Sequence, residues 1–350
     1  MNISNWVLAV SVIYFSTAFS RVEDHFKKAS DKSSIHSMSN IDFIYMINLD
    51  QRPEKFQKCI EQLHPYQIYP YRFSAVNGWE LSLEDINDVG VKFSPDMVGG
   101  FWGTSYLDQM LMMNHQIIEN IGQVYFCHCM ARGPIGIVLS HLSVLQDAID
   151  SGYETIWVME DDIEIAQDPR MLSELILQLD AKVGKANWDI LFTDRDTKNQ
   201  EGVRVPCKSY ARSPNFEPSD PSKFLIEINI DAVFRHIGAR YGAYSMIIRR
   251  SGMEKILQYA KAYSIFLPYD MFFCLPEEIQ IFTVQNDVVT TQARAISDNG
   301  HPNYLNGQLE AQSRPFRAEQ AELSYDCGKE LVAPFRSGES PSFTKEFFNR

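Results

Sequence analysis

The residues best suited to chemistry are three consecutive acids, Glu160-Asp161-Asp162, which end the apolar run Thr155-Ile-Trp-Val-Met159. A buried strand that stops in carboxylates places them at its carboxyl end, where open parallel sheets bind ligands. With 45 Asp plus Glu in the chain, roughly one such triplet arises from composition alone, so its placement counts for more than the run itself. Two carboxylates about 4 Å apart repel by about 4 kcal/mol at an effective dielectric of about 20. A solvated turn dissipates that repulsion, whereas a cleft needs a cation. Capping of the next helix is not asked of these acids, because Asp168-Pro169 supplies a cap and a first helical residue. Hard oxygen ligands select Mg²⁺ or Mn²⁺, ions that bridge one or two carboxylates to a substrate diphosphate. The residues thus leave two readings, a metal-diphosphate site and a solvated acidic turn.

A second acidic pair, Asp194-Arg195-Asp196, has Asp-x-Asp spacing and is a rival metal site, with phosphoester hydrolysis as its chemistry. Phosphatases of the haloacid-dehalogenase type carry Thr or Val two residues beyond the second Asp. Here that position is Lys198, which argues against them. Cys127-His128-Cys129 has a single residue between its thiols, shorter than a zinc hook, and is read as a buried strand edge. The chain contains no Gly-x-Gly-x-x-Gly, Gly-x-x-x-x-Gly-Lys or Gly-x-Ser-x-Gly. That argues against a dinucleotide-dependent dehydrogenase, a phosphate-loop kinase and a serine hydrolase.

The elements that must position these groups alternate in type. Residues 43–50 form a continuous apolar run ending in polar residues, and Pro53 opens a helix through Leu63. A short helix is expected over 83–86 and a longer one over 106–121, rich in Met and aromatics. The Met stripe of the longer one is read as core, with an acceptor-binding lid as the alternative. Val138, Leu142, Leu145 and Ile149 follow at spacings of four, three and four, a buried helical stripe that Gly152 ends. Strands are then expected over 155–159 and 189–193, with the helix after Asp168 between them. Residues 194–221 are polar and Pro-rich, suited to a mobile active-site loop. A strand over 242–248, a helix capped by Ser251 and running to about Tyr263, and strands over 279–284 and 288–291 follow. Repeated strand-helix-strand units imply an α/β fold with a mostly parallel central sheet flanked by helices.

The chain has 350 residues, of which 45% are hydrophobic, enough for one large core or two modest ones. Its formal charge of -13 disfavours a nucleic-acid partner, so anionic ligands need a local basic pocket or a bridging metal. Six cysteines are too few and too scattered to read as a disulfide framework, and they leave the redox compartment open. Trp6 to Phe15 is apolar except for Ser11, and Ala18-Phe-Ser20 has the spacing of a cleavage site, but no Lys or Arg precedes it. Residues 1–20 are read as a signal peptide or N-terminal anchor that associates with a membrane, with an interfacial segment of a cytoplasmic protein as the alternative. Residues 21–40 are read as a linker, 41–303 as the catalytic domain and 304–350 as a loosely packed tail.

In order and approximate spacing, the segments Ile44-Tyr-Met-Ile-Asn-Leu-Asp-Gln-Arg-Pro53, Gly136-Ile-Val-Leu-Ser-His-Leu142 and Ile156-Trp-Val-Met-Glu-Asp-Asp-Ile163 resemble glycosyltransferase family 25. Trp188-Asp-Ile-Leu-Phe192, Gly242-Ala-Tyr-Ser-Met-Ile-Ile-Arg-Arg-Ser-Gly252 and Pro268-Tyr-Asp270 continue the similarity. The family includes bacterial lipooligosaccharide galactosyltransferases and procollagen galactosyltransferases. The resemblance implies a nucleotide-sugar transferase of GT-A type that inverts the anomeric centre. Its donor would be a UDP-sugar, UDP-galactose above all, and its acceptor a glycan or a hydroxylated protein.

It further implies a metal held by Glu160 and Asp162, on one side of an extended strand end with Asp161 opposite, and completed by His301. Asp270 is the candidate base for the acceptor hydroxyl, with an N-cap as the bland alternative. His141 is either a second catalytic contact or a core histidine. Arg52, Ser140 and Asp161 are assigned to the donor nucleotide, Arg52 against the alternative of a surface charge at a helix start.

Overall fold

A computed structural model describes residues 22–99, 101–199, 201–292 and 295–305. The expected signal peptide or anchor and nearly all of the expected tail lie outside the described residues. Apolar runs become strands here because both faces of one sheet are covered. In β1 (Phe43–Asn48), Phe43, Tyr45 and Ile47 enter one core while Ile44 and Met46 enter the other. In β7 (Thr155–Glu160), Ile156 and Val158 alternate with Trp157 and Met159 in the same way. A strand buried on both sides has no polar face to show, so its sequence reads as unbroken hydrophobicity.

Between these two strands the chain forms α1 (Pro53–Leu63), β2 (Tyr71–Ser74), α2 (Leu83–Val89), β3 (Val91–Lys92), β4 (Trp102–Tyr106), β5 (Met113–Ile117), β6 (Val124–Tyr125) and α3 (Arg132–Asp150). After β7 come β8 (Ile163–Ile165), α4 (Leu172–Val183), β9 (Ile190–Phe192), β10 (Glu227–Asn229), β11 (Phe234–Ile237) and β12 (Ser245–Arg249). The described chain continues through α5 (Arg250–Tyr263), α6 (Tyr269–Phe272), β13 (Ile281–Val284) and β14 (Val289–Thr291). Helices α3 and α5 cover one face, and α1 and α4 cover the other. Among the described residues no helix is long and apolar enough to cross a membrane.

The central sheet has eight strands in the order β10-β11-β13-β9-β12-β7-β1-β2. Pairs β1/β2, β1/β7 and β9/β13 are parallel. Strand β12 is antiparallel to both β7 and β9, and β11 is antiparallel to both β10 and β13. Six strands therefore point one way and two are reversed, so the sheet is mixed in its pairing. The strand expected over 189–193 does not lie beside β7, because β12 is inserted between them.

Two local expectations are corrected. Residues 106–121 are not a helix but most of a hairpin, β4 paired with β5. Met and Leu favour helices intrinsically, yet Met110, Met112 and Met113 are exposed rather than core. The chain reverses where the Asp108 carboxylate accepts from Met110 N at 3.0 Å and Leu111 takes φ 53°. Ser251 does not cap α5, since its hydroxyl donates to Asp189 Oδ1 instead.

The segment read as a linker is packed along the α3 face. Val22 is buried, Lys27 N donates to Ser143 Oγ at 3.0 Å, and Lys32 Nζ sits 2.9 Å from Asp147 Oδ2. Lysines that look solvated in the sequence are anchored here, Lys32 by Asp147 and Lys27 by the Ala75 carbonyl, which its Nζ meets at 2.7 Å.

Candidate functional site

Strand β7 ends at Glu160, and the chain turns at once through Asp161 and Asp162 into β8. The extended strand end expected here is absent, so strand alternation does not set the directions of the three side chains. Glu160 and Asp161 meet different neighbours. Glu160 Oε1 lies 3.0 Å from His141 Nε2, and His141 is 1% exposed. Tyr269 stacks on the imidazole, with ring centres 4.0 Å apart and planes at 11°. Asp161 Oδ2 accepts from Asn48 Nδ2 at 2.6 Å, and Lys55 Nζ lies 3.6 Å from its other oxygen.

Among the described residues Asp162 Oδ1 is buried without a hydrogen-bond partner. Burial, then the charges of Glu160 and Asp161, push the Asp162 carboxyl up to about 7. Burial also raises Asp161, against the pull of Lys55 and Asn48. Side-chain exposures of 29% for Glu160 and 15% for Asp161 are not those of a solvated turn. An unpaired buried carboxylate oxygen costs about 1–3 kcal/mol or more. Such a group in a native fold is met by ordered water, an ion or a ligand, or is held under strain.

Helix α6 brings Asp270 to the same neighbourhood. Burial raises its carboxyl, Gly242 N donates to Oδ2 at 3.2 Å and so lowers it, and Glu160 raises it again. Asp270 lies inside the first turn of α6, whose N-cap is Pro268, so the capping role is not its own. Tyr269 is likewise raised by burial and by Glu160, and its hydroxyl has no hydrogen-bond partner among the described residues. His141 and Tyr269, both buried, thus form a stacked wall behind Glu160.

The donor-side residues divide. Ser140 is corrected: it is buried, its hydroxyl donates to Gly136 O at 2.7 Å and accepts from Val76 N at 2.8 Å, and it ties α3 to the loop after β2. That approach is close, since a Cβ on Gly136 would lie 2.4 Å from Gly78 N. Arg52 is no surface charge. Its Nη1 donates to both oxygens of Asp298, at 2.9 and 2.7 Å, and its Nε donates to Glu54. Asp298 belongs to residues 295–305, which lie over the start of α3. Trp79 Nε1 donates to Asp298 O at 2.8 Å, and Asn77 Nδ2 donates to the Tyr304 hydroxyl at 2.9 Å. Gly133 is required beneath this strap, because a Cβ there would fall 2.3 Å from Asn299 O. A cleft of about 360 Å³ opens between Gln51, Arg52, Glu54, Ile296, Asn303 and Tyr304, within the range of small-ligand sites. Gln51 Oε1 is buried there without a hydrogen-bond partner among the described residues.

His301 lies in the strap, but no three His, Cys, Asp or Glu residues among those described form a group able to hold a metal. The expected shell of Glu160, Asp162 and His301 is therefore not assembled. The rival pair is also corrected. Asp194 accepts from Arg240 Nη2 and the Tyr244 hydroxyl, each at 2.5 Å, and from Thr290 Oγ1 at 3.1 Å. Asp196 is paired with buried Arg235. Both carboxylates are consumed inside the protein, which leaves the phosphoesterase reading without a site.

Sequence reasoning missed Asn48, Lys55, Tyr269 and Asp298. The first three had a signal, each being polar and within a few residues of a strand end or catalytic candidate. Asp298 had none, being 246 residues from Arg52.

A family model described as Glycosyltransferase family 25 (LPS biosynthesis protein) matches residues 41–273, from β1 through α6. A Drosophila melanogaster protein named Glycosyltransferase 25 family member is 26% identical over 251 residues, 72% of this chain and 32% of that protein. Procollagen galactosyltransferase 2 of Mus musculus is 24% identical over 201 residues, 57% of this chain and 28% of that protein. Inactive glycosyltransferase 25 family member 3 of Homo sapiens is 24% identical over 165 residues, 47% of this chain and 24% of that protein. The chain spans about a third or less of the length of these relatives.

Proposed function

This chain belongs to glycosyltransferase family 25, and from that premise we propose that it moves a hexose, galactose first, from a UDP-sugar to an acceptor hydroxyl with inversion, on a GT-A type scaffold. The acceptor is a glycan of the lipooligosaccharide kind or a hydroxylated protein side chain. The observation that carries the reading is the unpartnered, buried Asp162 Oδ1 beside Glu160 and Asp161, at the carboxyl end of the central β7 strand.

Glu160 and Asp162 are hard oxygen donors suited to a divalent cation, Mn²⁺ or Mg²⁺, which would take donor phosphates for the rest, since no three such residues among those described gather round one point. Bound there, the ion would neutralise the charge that develops on the departing UDP. The chain's own residues supply the remainder. His141, held by the Tyr269 ring, orients Glu160. Asn48 and Lys55 hold Asp161 and keep its charge from adding fully to the repulsion. Arg52 lines the cleft over the start of α1, where an anionic ligand would compete with Asp298 for its guanidinium. Asp270, whose affinity for a proton is raised by burial, takes the proton of the attacking hydroxyl.

The test is the melting temperature with UDP, with and without Mn²⁺, in the wild type, Glu160→Gln and Asp162→Asn. Ligand binding to the native state raises the melting point. A shift that needs Mn²⁺ and is lost in both variants is expected; an equal shift without metal overturns the site. A second reading, a nucleotide-sugar binder without turnover, is favoured by the human relative's name, which calls that protein inactive. Slow release of hexose from UDP-galactose or another UDP-hexose separates the two.

A further inference from the structure

The hairpin β4–β5 stands outside the central sheet and is unusually apolar on its surface. Trp102 is 49% exposed, Met110 78%, Met112 61%, Ile117 60% and Ile121 76%. Soluble proteins seldom expose so many large apolar side chains in one short stretch unless something covers them. The backbone of the hairpin adds a second feature. Thr104 N donates to Phe126 O and Phe126 N donates to Thr104 O, each at 2.8 Å. The backbone groups of Thr104 therefore point away from β5, which makes Thr104 and His115 a non-hydrogen-bonded pair of the antiparallel ladder. Alternation gives the pairs Tyr106 with Met113 and Trp102 with Ile117 the same character. The N–H and C=O groups of Met113, His115 and Ile117 thus face outward. Among the described residues no other strand pairs with that edge.

We propose that this edge and its apolar side chains dock an extended polypeptide of neutral or basic charge, added to the hairpin as a third strand. An unpaired ladder edge is complemented by another backbone, which a lipid surface cannot supply. Charge points the same way. Residues 98–121 contain no Lys or Arg and carry Asp108 and Glu119, in a chain of net charge -13. Anionic headgroups and phosphorylated glycans are repelled by such a surface. The unbranched Met side chains adapt to apolar partners of different shape. The hairpin also holds its guest in a defined place. Its root is fixed where the Tyr106 hydroxyl donates to Met130 O at 3.0 Å, two residues before α3. A Cβ on Gly103 would lie 2.2 Å from Phe126 O, so the same root tolerates no side chain. None of these residues belongs to the donor site, so the proposal stands or falls apart from the transferase reading.

The test uses the full chain and short fluorescent peptides rich in Val, Ile and Thr, neutral or Lys-containing, followed by anisotropy. Phosphatidylcholine vesicles with and without phosphatidylglycerol, and sedimentation velocity, run beside it. Ile117→Pro removes an outward N–H and leaves the β4–β5 hydrogen bonds in place. Peptide binding is expected to weaken at least about tenfold in Ile117→Pro and to survive in Ile117→Val. Met113→Asp, at an exposed position, gives the same loss should Pro disturb the hairpin. Unchanged circular dichroism and UDP binding show that each variant is folded. Failure of every peptide to bind overturns the proposal. So does vesicle binding that Met113→Asp abolishes and Ile117→Pro spares, or self-association through this edge without peptide binding.

Discussion

Two acidic clusters follow strands of the same sheet, Glu160-Asp161-Asp162 after β7 and Asp194-Arg195-Asp196 after β9, and they end in opposite electrostatic states. Asp194 is fully buried with a guanidinium, a phenol and a threonine hydroxyl on its carboxylate, and Asp196 has Arg235. In the first cluster Lys55 reaches only to 3.6 Å of Asp161, and among the described residues Asp162 Oδ1 has no hydrogen-bond partner. Both sites lose hydration, but among the described residues only the second has a guanidinium on each of its carboxylates. The lesson is that two acidic motifs of one sheet can meet opposite charge surroundings. An Asp-x-Asp spacing says nothing about that by itself.

The largest test of this contrast is Arg240→Met. Removing one partner of a buried pair strands the other, so a loss of about 3–5 kcal/mol is expected in urea unfolding. A loss under about 1 kcal/mol would mean that the Asp194 cluster is not closed. A smaller effect, of opposite sign, is expected from Asp162→Asn in EDTA. The folded state raises this carboxyl from 3.8 to about 7, so the protonated form is favoured by folding. The stability it contributes is complete below about pH 4 and is lost as pH rises through about 7. Thermal melts across that range should show the variant gaining on the wild type with rising pH; a gain that shrinks instead refutes the assignment. The smallest is Lys55→Met, which removes a longer, partly exposed contact and should cost about 1 kcal/mol or less. A cost equal to that of Arg240→Met would make the first cluster as self-sufficient as the second.

Much of the frame was legible before any coordinates. Pro53 and Leu63 bound α1 as expected, and the spacing of Val138, Leu142 and Leu145 lies within α3. Those signals are local, resting on a fixed φ and a helical period. The hairpin at β4–β5 was misread because Met and Leu carry helix propensity, while pairing with a strand seven residues away overrides it. Reversal of β12 was invisible too, since a strand buried on both faces reads alike in either direction. In the site, Glu160, Asp161, Asp162, His141 and Asp270 were nameable from their types and segments. Their neighbours were not, and Asp298 on Arg52 is the clearest instance.

By itself the amino-acid order determined where carboxylates end a buried strand, which runs form helices, and which family the chain resembles. These depend on neighbours within a few residues, where backbone geometry leaves little choice. Only the tertiary structure decided which acids would be neutralised. Arg240, Arg235, Asn48 and Asp298 come from distant parts of the chain, and a charge in a dry interior is governed by whatever lies within a few ångströms, not by its place in the sequence.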